Sequence, residues 1–253
     1  MSKHFFGDTA VLLGRSMRHI TRSPDTIITT VITPIALMLL FVYVFGGAIK
    51  TDTDNYVNYL LPGIMLIAIA SGIAYTAVRL FTDMKSGIFE RFVSMPIGRS
   101  SVLWAHVLTS LVSNGLSLVI IVLVAVVMGF RTSASPLAWL AVAGILALFT
   151  LALTWIAVIA GLSAKSVDGA SGFSYALIFL PFISSAFVPT DTMPGPVRVF
   201  AENQPVTSIV NTIQDLFAQR PVGSDIWIAL AWCLGILVLA YVLAMAAYRR
   251  KIT

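Results

Sequence analysis

Residues 103–129 read LWAHVLTSLVSNGLSLVIIVLVAVVMG, a run without one charged side chain. Wound as a helix at about 1.5 Å per residue, it is about 40 Å long, more than the roughly 30 Å hydrocarbon core of a bilayer. Five more charge-free runs occur, at 27–48, 60–78, 137–162, 172–188 and 226–248. All lie near or above the roughly 17–25 residues that a helical span needs. Strands of a membrane barrel need only about 9–11 residues and alternate in polarity, which these runs do not. Helices and closed barrels are the folds that satisfy their backbone in lipid. The expected class is therefore an all-α membrane protein with six transmembrane helices.

Composition agrees. Apolar residues make up 58% and charged residues 11% of the chain, against about 25% charged in soluble domains. The formal net charge of +5 has a topological explanation. With both termini inside, Lys3, Arg15, Arg18, Arg22, Arg79, Lys85, Arg91, Arg99, Lys165, Arg249, Arg250 and Lys251 fall on inner segments. Only Lys50, Arg131, Arg198 and Arg220 fall outside. This bias is the positive-inside pattern. It leaves no compact basic face for nucleic acid. The run at 27–48 starts too late and is too long for a signal-peptide core of about 7–15 residues, so it reads as a retained span. The single cysteine, Cys233, gives neither a disulfide framework nor a multi-cysteine metal site, and reads as a packing residue.

The polar segments are patterned. In residues 1–25, Phe6, Ala10, Leu13, Met17 and Ile20 fall on one helical stripe, and Asp8, Arg15, Arg18, His19 and Arg22 fall opposite. This reads as an interfacial amphipathic helix with its arginines at the headgroups, because the chain enters the bilayer directly afterwards. The other reading is a cytosolic helix packed on a partner. Pro34 stands in the first run beside Thr29, Thr30 and Thr33, which can satisfy the carbonyl it frees. In the segment 83–101, Ile88, Phe89, Phe92 and Met95 share one helical face, and Pro96 and Gly98 stop it. That face can dock a cytosolic partner or lie flat on the membrane. His106, near the inner end of the third run, reads as structural. Asn114, deeper, is expected to bond a neighbouring helix. The loop 189–225 carries apolar residues at helical spacing, notably Val206, Ile209, Val210 and Ile213, so short amphipathic helices are expected.

Equally informative is the chemistry that is missing. The sequence contains no GxxxxGK[ST] phosphate loop, HExxH, GxSxG or CxxC. No Asp, Glu, Lys or Arg stands within the six runs. A charge at the bilayer centre costs roughly 2.5–3.5 kcal/mol on insertion scales and is retained chiefly for ion or proton coupling. If the protein moves anything, its energy comes from another chain.

At this point the chain resembles the permease subunits of ABC type-2 exporters, most of all bacterial permeases of daunorubicin-resistance type. The resemblance rests on the surface helix leading into the first run and on Gly87-Ile88-Phe89-Glu90-Arg91 followed by Ser94-Met95-Pro96-Ile97. It also rests on Phe187-Val188-Pro189, Met193-Pro194 and Asn203-Gln204-Pro205-Val206-Thr207. Many members have Asn directly before that proline, whereas here Gln204 intervenes.

The resemblance implies one ABC type-2 transmembrane domain over 1–253, with an interfacial helix at 1–25, a cytoplasmic coupling-helix loop at 83–101 and an extracellular loop at 189–225. It implies a multi-pass protein of the bacterial cytoplasmic membrane with both termini cytoplasmic. Two permease copies, most simply a homodimer, would assemble with two copies of a separate ATPase. That partner would hold ATP and Mg, and this chain would bind no cofactor. Phe89, Glu90, Arg91 and Phe92 would couple to the ATPase, and Arg15, Arg18 and Arg22 would anchor the surface helix in membrane lipids. Spans two and five would line the pathway, which offers Ser71, Tyr75, Phe173, Tyr175, Phe179 and Phe182 as wall residues. The cargo would be a lipophilic drug or antibiotic, because a charge-free wall offers stacking and dispersion. Alternatives are a lipid, lipid-linked glycan or peptide and, outside transport, a membrane enzyme or scaffold.

Overall fold

A computed structural model describes residues 24–46, 55–86 and 101–252. Their architecture is a bundle of helices. Helix α1, Pro24–Leu39, starts on a proline, where the missing N–H costs nothing, and continues into a π-helical turn, Leu40–Phe45. Helix α2, Tyr56–Lys85, is capped by Asn55, whose side chain accepts from the Val57 N–H. Helix α3 is Ser101–Val127. Helix α4, Pro136–Ser163, begins on a Ser135 cap followed by proline.

The fifth apolar run is broken. It divides into α5, Val167–Ser171, then α6, Phe173–Phe179, then a 3-10 turn, Leu180–Ile183. A second 3-10 turn, Thr190–Thr192, leads to α7, Gly195–Asn203, and α8, Pro205–Ala218. Helix α9, Asp225–Ile252, closes the order and carries Arg249, Arg250 and Lys251 in its last turn.

Four helices, α2, α3, α4 and α9, are long and apolar enough to cross a membrane, and the shorter apolar stretches are Thr30–Phe45 and Val167–Ile183. Burial sorts the four. Residues 60–70 of α2 are buried without interruption, as in a helix that is apolar all round and enclosed by others. Of the most apolar window, 67% is buried in α2 and 61% in α4, against 28% in α3 and 22% in α9. Helices α2 and α4 therefore form the centre, and α3 and α9 present Val119, Leu123, Val238 and Leu239 outward.

The two ends of the bundle are tied differently. At one end the Asn55 side chain donates to Gly129 O at 2.8 Å. Asn58 both donates to Arg131 O and accepts from its N–H. The Thr132 hydroxyl donates to Phe217 O, and Gln214 donates to Tyr59 O. Gly129 makes this α3–α4 turn at φ +104°, a backbone region that side chains disfavour. At the other, basic end the Lys251 ammonium donates to Leu162 O, and His106 pairs with Asp83.

Helix α8 docks through buried Val206, Ile209, Val210 and Ile213. The residue before it, Gln204, is buried and donates to Leu180 O at 3.3 Å and Ile183 O at 2.5 Å. Gln204 thus satisfies two carbonyls at the end of the 3-10 turn, while Asn203 bonds back to Val199 O on the exposed face of α7. Gln204 is thus the residue that joins the two segments.

Close approach of α2 and α4 depends on Gly161, where a Cβ would lie 2.8 Å from the Ala77 carbonyl oxygen. A Cβ at Gly144 of the same helix would meet nothing within 4 Å. Gly161→Ala is expected to lower stability by about 1–3 kcal/mol, as overpacking does, and Gly144→Ala to leave it within about 0.5 kcal/mol. Thermal unfolding of both variants in one detergent checks the contrast. Equal behaviour would remove the tight α2–α4 contact.

Candidate functional site

The central helices carry polar residues at helical spacing. On α2 they are Tyr75, Thr76, Arg79 and Asp83, and on α3 His106, Ser110, Ser113, Asn114 and Ser117. Intervals of three and four residues place each set on one face. The two faces meet. The Thr76 hydroxyl donates to Ser110 Oγ at 3.1 Å, and Ser110 Oγ and Thr154 Oγ1 of α4 share a hydrogen bond at 3.1 Å. Three helices are thus linked through one serine. Thr154 also donates to Thr150 O at 2.6 Å, and Thr109 to Ala105 O at 2.6 Å. Back-bonding of this kind satisfies hydroxyls inside apolar helices.

Asn114 does not bond a neighbouring helix as the sequence suggested. Its amide donates to Ser110 O at 2.9 Å on its own helix, and it meets α2 at Gly72, where a Cβ would lie 2.2 Å from Asn114 Oδ1. His106 Nε2 lies 3.3 Å from Asp83 Oδ2, so this histidine serves an α2–α3 contact.

An open cleft runs along this seam, bounded by Thr30 of α1 and by the two polar faces, with a recess of about 30 Å³. Tyr75 stands at the cleft, 40% exposed. One residue that carries a fixed charge, Arg79, lies among the lining residues of this cleft. The sequence carried a signal for this site, the regular spacing of hydroxyls within two apolar runs. Only Asn114 and His106 had been singled out from it.

The other expected wall residues lie elsewhere. The Ser71 hydroxyl donates to Ile67 O at 2.9 Å on its own helix. Phe173 is partly buried against the core. Tyr175 and Phe179 are 63% and 62% exposed. Phe182 stacks on Phe187 at 4.9 Å, and Phe187 stacks on Phe41 of the π-helical turn at 4.6 Å. The structure therefore joins Phe182 and Phe179 to an aromatic group that includes Phe41, and leaves Tyr75 in the polar cleft. Phe89, Glu90, Arg91 and Phe92, and Arg15, Arg18 and Arg22, lie outside the described residues.

At the opposite end a chamber of about 620 Å³ opens between the start of α2, the α3–α4 turn, the 189–192 segment and α8. Asp191, Asp215, Arg131 and Arg220 line it. Ser185 donates to Asn211 Oδ1 at 2.6 Å, and Asn211 donates to Asp225 Oδ2 at 2.9 Å. Asp215 has its carboxyl pushed above the ordinary value by burial, then by the charge of Asp225. Arg220, at 4.0 Å, opposes both. Among the described residues no group of three or more His, Cys, Asp or Glu could hold a metal ion.

Comparison with known proteins adds three findings. The sequence profile of the ABC-2 type transporter family matches residues 8–218. The chain is similar to a "Daunorubicin resistance ABC transporter permease protein" of Streptomyces coeruleorubidus, 28% identical over 244 residues, which cover 96% of this chain and 86% of that one. It is also similar to a "Probable doxorubicin resistance ABC transporter permease protein" of Mycobacterium tuberculosis, 26% identical over 253 residues, 98% of this chain and 91% of the relative.

The chamber carboxyl gives a pH prediction. A carboxyl whose pKa is raised on folding destabilises the folded state while it is ionised. That cost is present above the raised pKa and disappears as pH falls through it toward the unfolded value of about 4. Asp215→Asn is expected to stabilise the protein slightly at neutral pH, within about 1 kcal/mol, and to leave stability unchanged once wild-type Asp215 is protonated. Unfolding midpoints measured from pH 7 down to below about pH 4, the ordinary carboxyl range, check this. A variant less stable than wild type at pH 7 would mean that the Arg220 pair outweighs burial.

Proposed function

The chain belongs to the ABC-2 type transporter family, and on that premise we propose that it is the transmembrane permease of an ATP-driven exporter of lipophilic drugs or antibiotics. The observation that carries the proposal is the family match over residues 8–218, which takes in three of the four long apolar helices. The drug-resistance names of the two permease relatives support the cargo class. In this reading the two shorter apolar helices also cross, giving six spans. The bundle end with Lys85, Arg249, Arg250 and Lys251 faces the cytoplasm of a bacterial cell, with both termini on that side. The chamber at the other end then opens outward.

A permease without a phosphate loop needs an engine. Two copies of a separate ATPase, holding ATP and Mg, would act on two copies of this chain related by a two-fold axis. ATP-driven closure of that pair would bias the permease between inward-open and outward-open states, a two-state element shifted by differential binding. Helix α2 ends at Lys85 and α3 starts at Ser101, so a push on the intervening segment reaches both faces of the polar seam. Phe89 and Phe92 would fill a groove on the ATPase, and Glu90 and Arg91 would make the polar contacts. Arg15, Arg18 and Arg22 would hold the surface helix at anionic headgroups. The exposed aromatics Tyr175 and Phe179 on α6 offer the stacking surface that flat lipophilic cargo needs.

Reconstitution with candidate ABC ATPase subunits from the same cell tests the reading. Stable two-plus-two assembly with drug-stimulated hydrolysis is expected. Absence of association in mild detergent with Mg-ATP would discard it. In the assembled complex, Phe89→Ala combined with Glu90→Ala is expected to leave membrane insertion intact and to lower drug-stimulated hydrolysis roughly tenfold, within the usual range of coupling between sites. Unchanged transport by the double variant would overturn the coupling role of 87–97.

A further inference from the structure

We infer that the recess between α1, α2 and α3 is a binding site for a neutral hydroxyl group of an amphipathic guest, held between Asn114 and Ser113 and closed to ammonium groups. The first observation is the state of the wall. Asn114 Oδ1 and Ser113 Oγ are buried and have no hydrogen-bond partner among the described residues. An unpaired buried polar atom costs about 1–3 kcal/mol. Two such atoms at adjacent positions in one polar recess are a place where a guest gains what the empty site lacks. Gly72 is part of the construction, since a Cβ there would lie 2.2 Å from Asn114 Oδ1 and the carboxamide could not stand where it does.

The second observation is chemical complementarity. The Asn114 oxygen only accepts, the Ser113 hydroxyl donates or accepts, and Arg79 only donates. Arg79 lines the same cleft and has no ion-pair partner among the described residues. A hydroxyl matches this set, donating to Asn114 Oδ1 while accepting from Ser113 or Arg79. An ammonium offers donors alone and meets a like charge at Arg79. The nearest carboxylate in sequence, Asp83, is engaged by His106 at 3.3 Å and is not part of the wall.

The third is size. A recess of about 30 Å³ holds a few atoms or one to two waters, so one hydroxyl enters and the apolar body of the guest stays in the open cleft beside Tyr75. The site is thus an anchor for one polar group at mid-membrane depth. It rests on the exporter reading only in requiring that an amphipathic molecule reach this half of the bundle.

A diazirine-bearing octanol is a suitable probe, photolysed with the full chain in lipid nanodiscs and its adducts mapped by mass spectrometry. Adducts are expected to concentrate on the α2 and α3 residues of the cleft. Asn114→Ala should cut that labelling by about fivefold, the equivalent of one hydrogen bond. Decanol should compete, while decylammonium and decane at equal membrane fraction should not. Labelling spread evenly over the lipid-facing surfaces of α3, α4 and α9, or equal competition by decylammonium, would overturn the assignment. If Asn114→Ala fails to fold, Ser113→Ala and the wild-type competition decide the same question. Labelling needs neither ATP nor a partner, so cleft labelling without ATPase association removes the exporter reading alone. Transport without cleft labelling removes the site alone.

Discussion

Every polar group placed in hydrocarbon needs a partner inside the protein, and the rest of this structure follows from that constraint. It forces the backbone into helices. It also governs the hydroxyls that the sequence scatters through its apolar runs. Thr109, Thr150, Thr154 and Ser117 each donate to the carbonyl four residues earlier, so they add almost no polar surface to the helix exterior. Thr76 and Ser110 carry the bonding across helix boundaries, Thr76 donating to Ser110 and Ser110 meeting Thr154 of α4. The same need explains Gln204, which closes the carbonyls left open where the fifth apolar run turns from helix to extended chain at Ser184.

The polar seam makes the packing of α2 on α3 different in kind from the packing of α2 on α4. The α2–α4 contact is a close approach at Gly161 with large apolar side chains around it. Separating such a surface exposes volume that only lipid or another side chain could fill. The α2–α3 contact beside it is a set of small hydroxyls, a carboxamide and a cleft already open to one side. Hydrogen bonds there can exchange for water with little net change, because a hydroxyl bonded to water is nearly as well satisfied as one bonded to serine. Movement is therefore easier along the α2–α3 seam than between α2 and α4. The loop that an ATPase would push joins the two helices of that easier seam.

Much of the fold could be read from the sequence, and the limits have physical causes. Charge-free length located α3, α4 and α9 to within about four residues, because their ends are marked by the return of charge or by proline, whereas α2 runs on through Arg79 and Asp83 to Lys85, past the end of its charge-free run at 78. Residues 172–188 show where length fails. Their composition suits a span, yet Pro181 and the paired Ser184 and Ser185 end the regular helix early, and composition does not register where a ladder stops. The cleft failed for another reason. Hydroxyl side chains are common in membrane helices as helix-packing groups, and one sequence does not say which neighbouring helix turns its own hydroxyls toward them. Asn114 was noticed because it is costly to bury. Serine is cheap to bury when it bonds its own backbone, so the sequence gives no reason to single out Ser113, and the structure shows its Oγ buried without a hydrogen bond to any described residue.

Arg79 has the same logic at higher cost. It stands one residue beyond the second charge-free run and lines the cleft on the side of the basic end. A cation in that position repels cationic guests approaching from the basic end, and it draws in groups with an acceptor oxygen. Asp83, one turn further on, is not among the residues that line the cleft, and it meets His106 on the neighbouring helix. The pairing has two consequences from a single contact. It ties the ends of α2 and α3 together at the place where they enter the segment 87–100, and it leaves the guanidinium as the charge that the cleft presents.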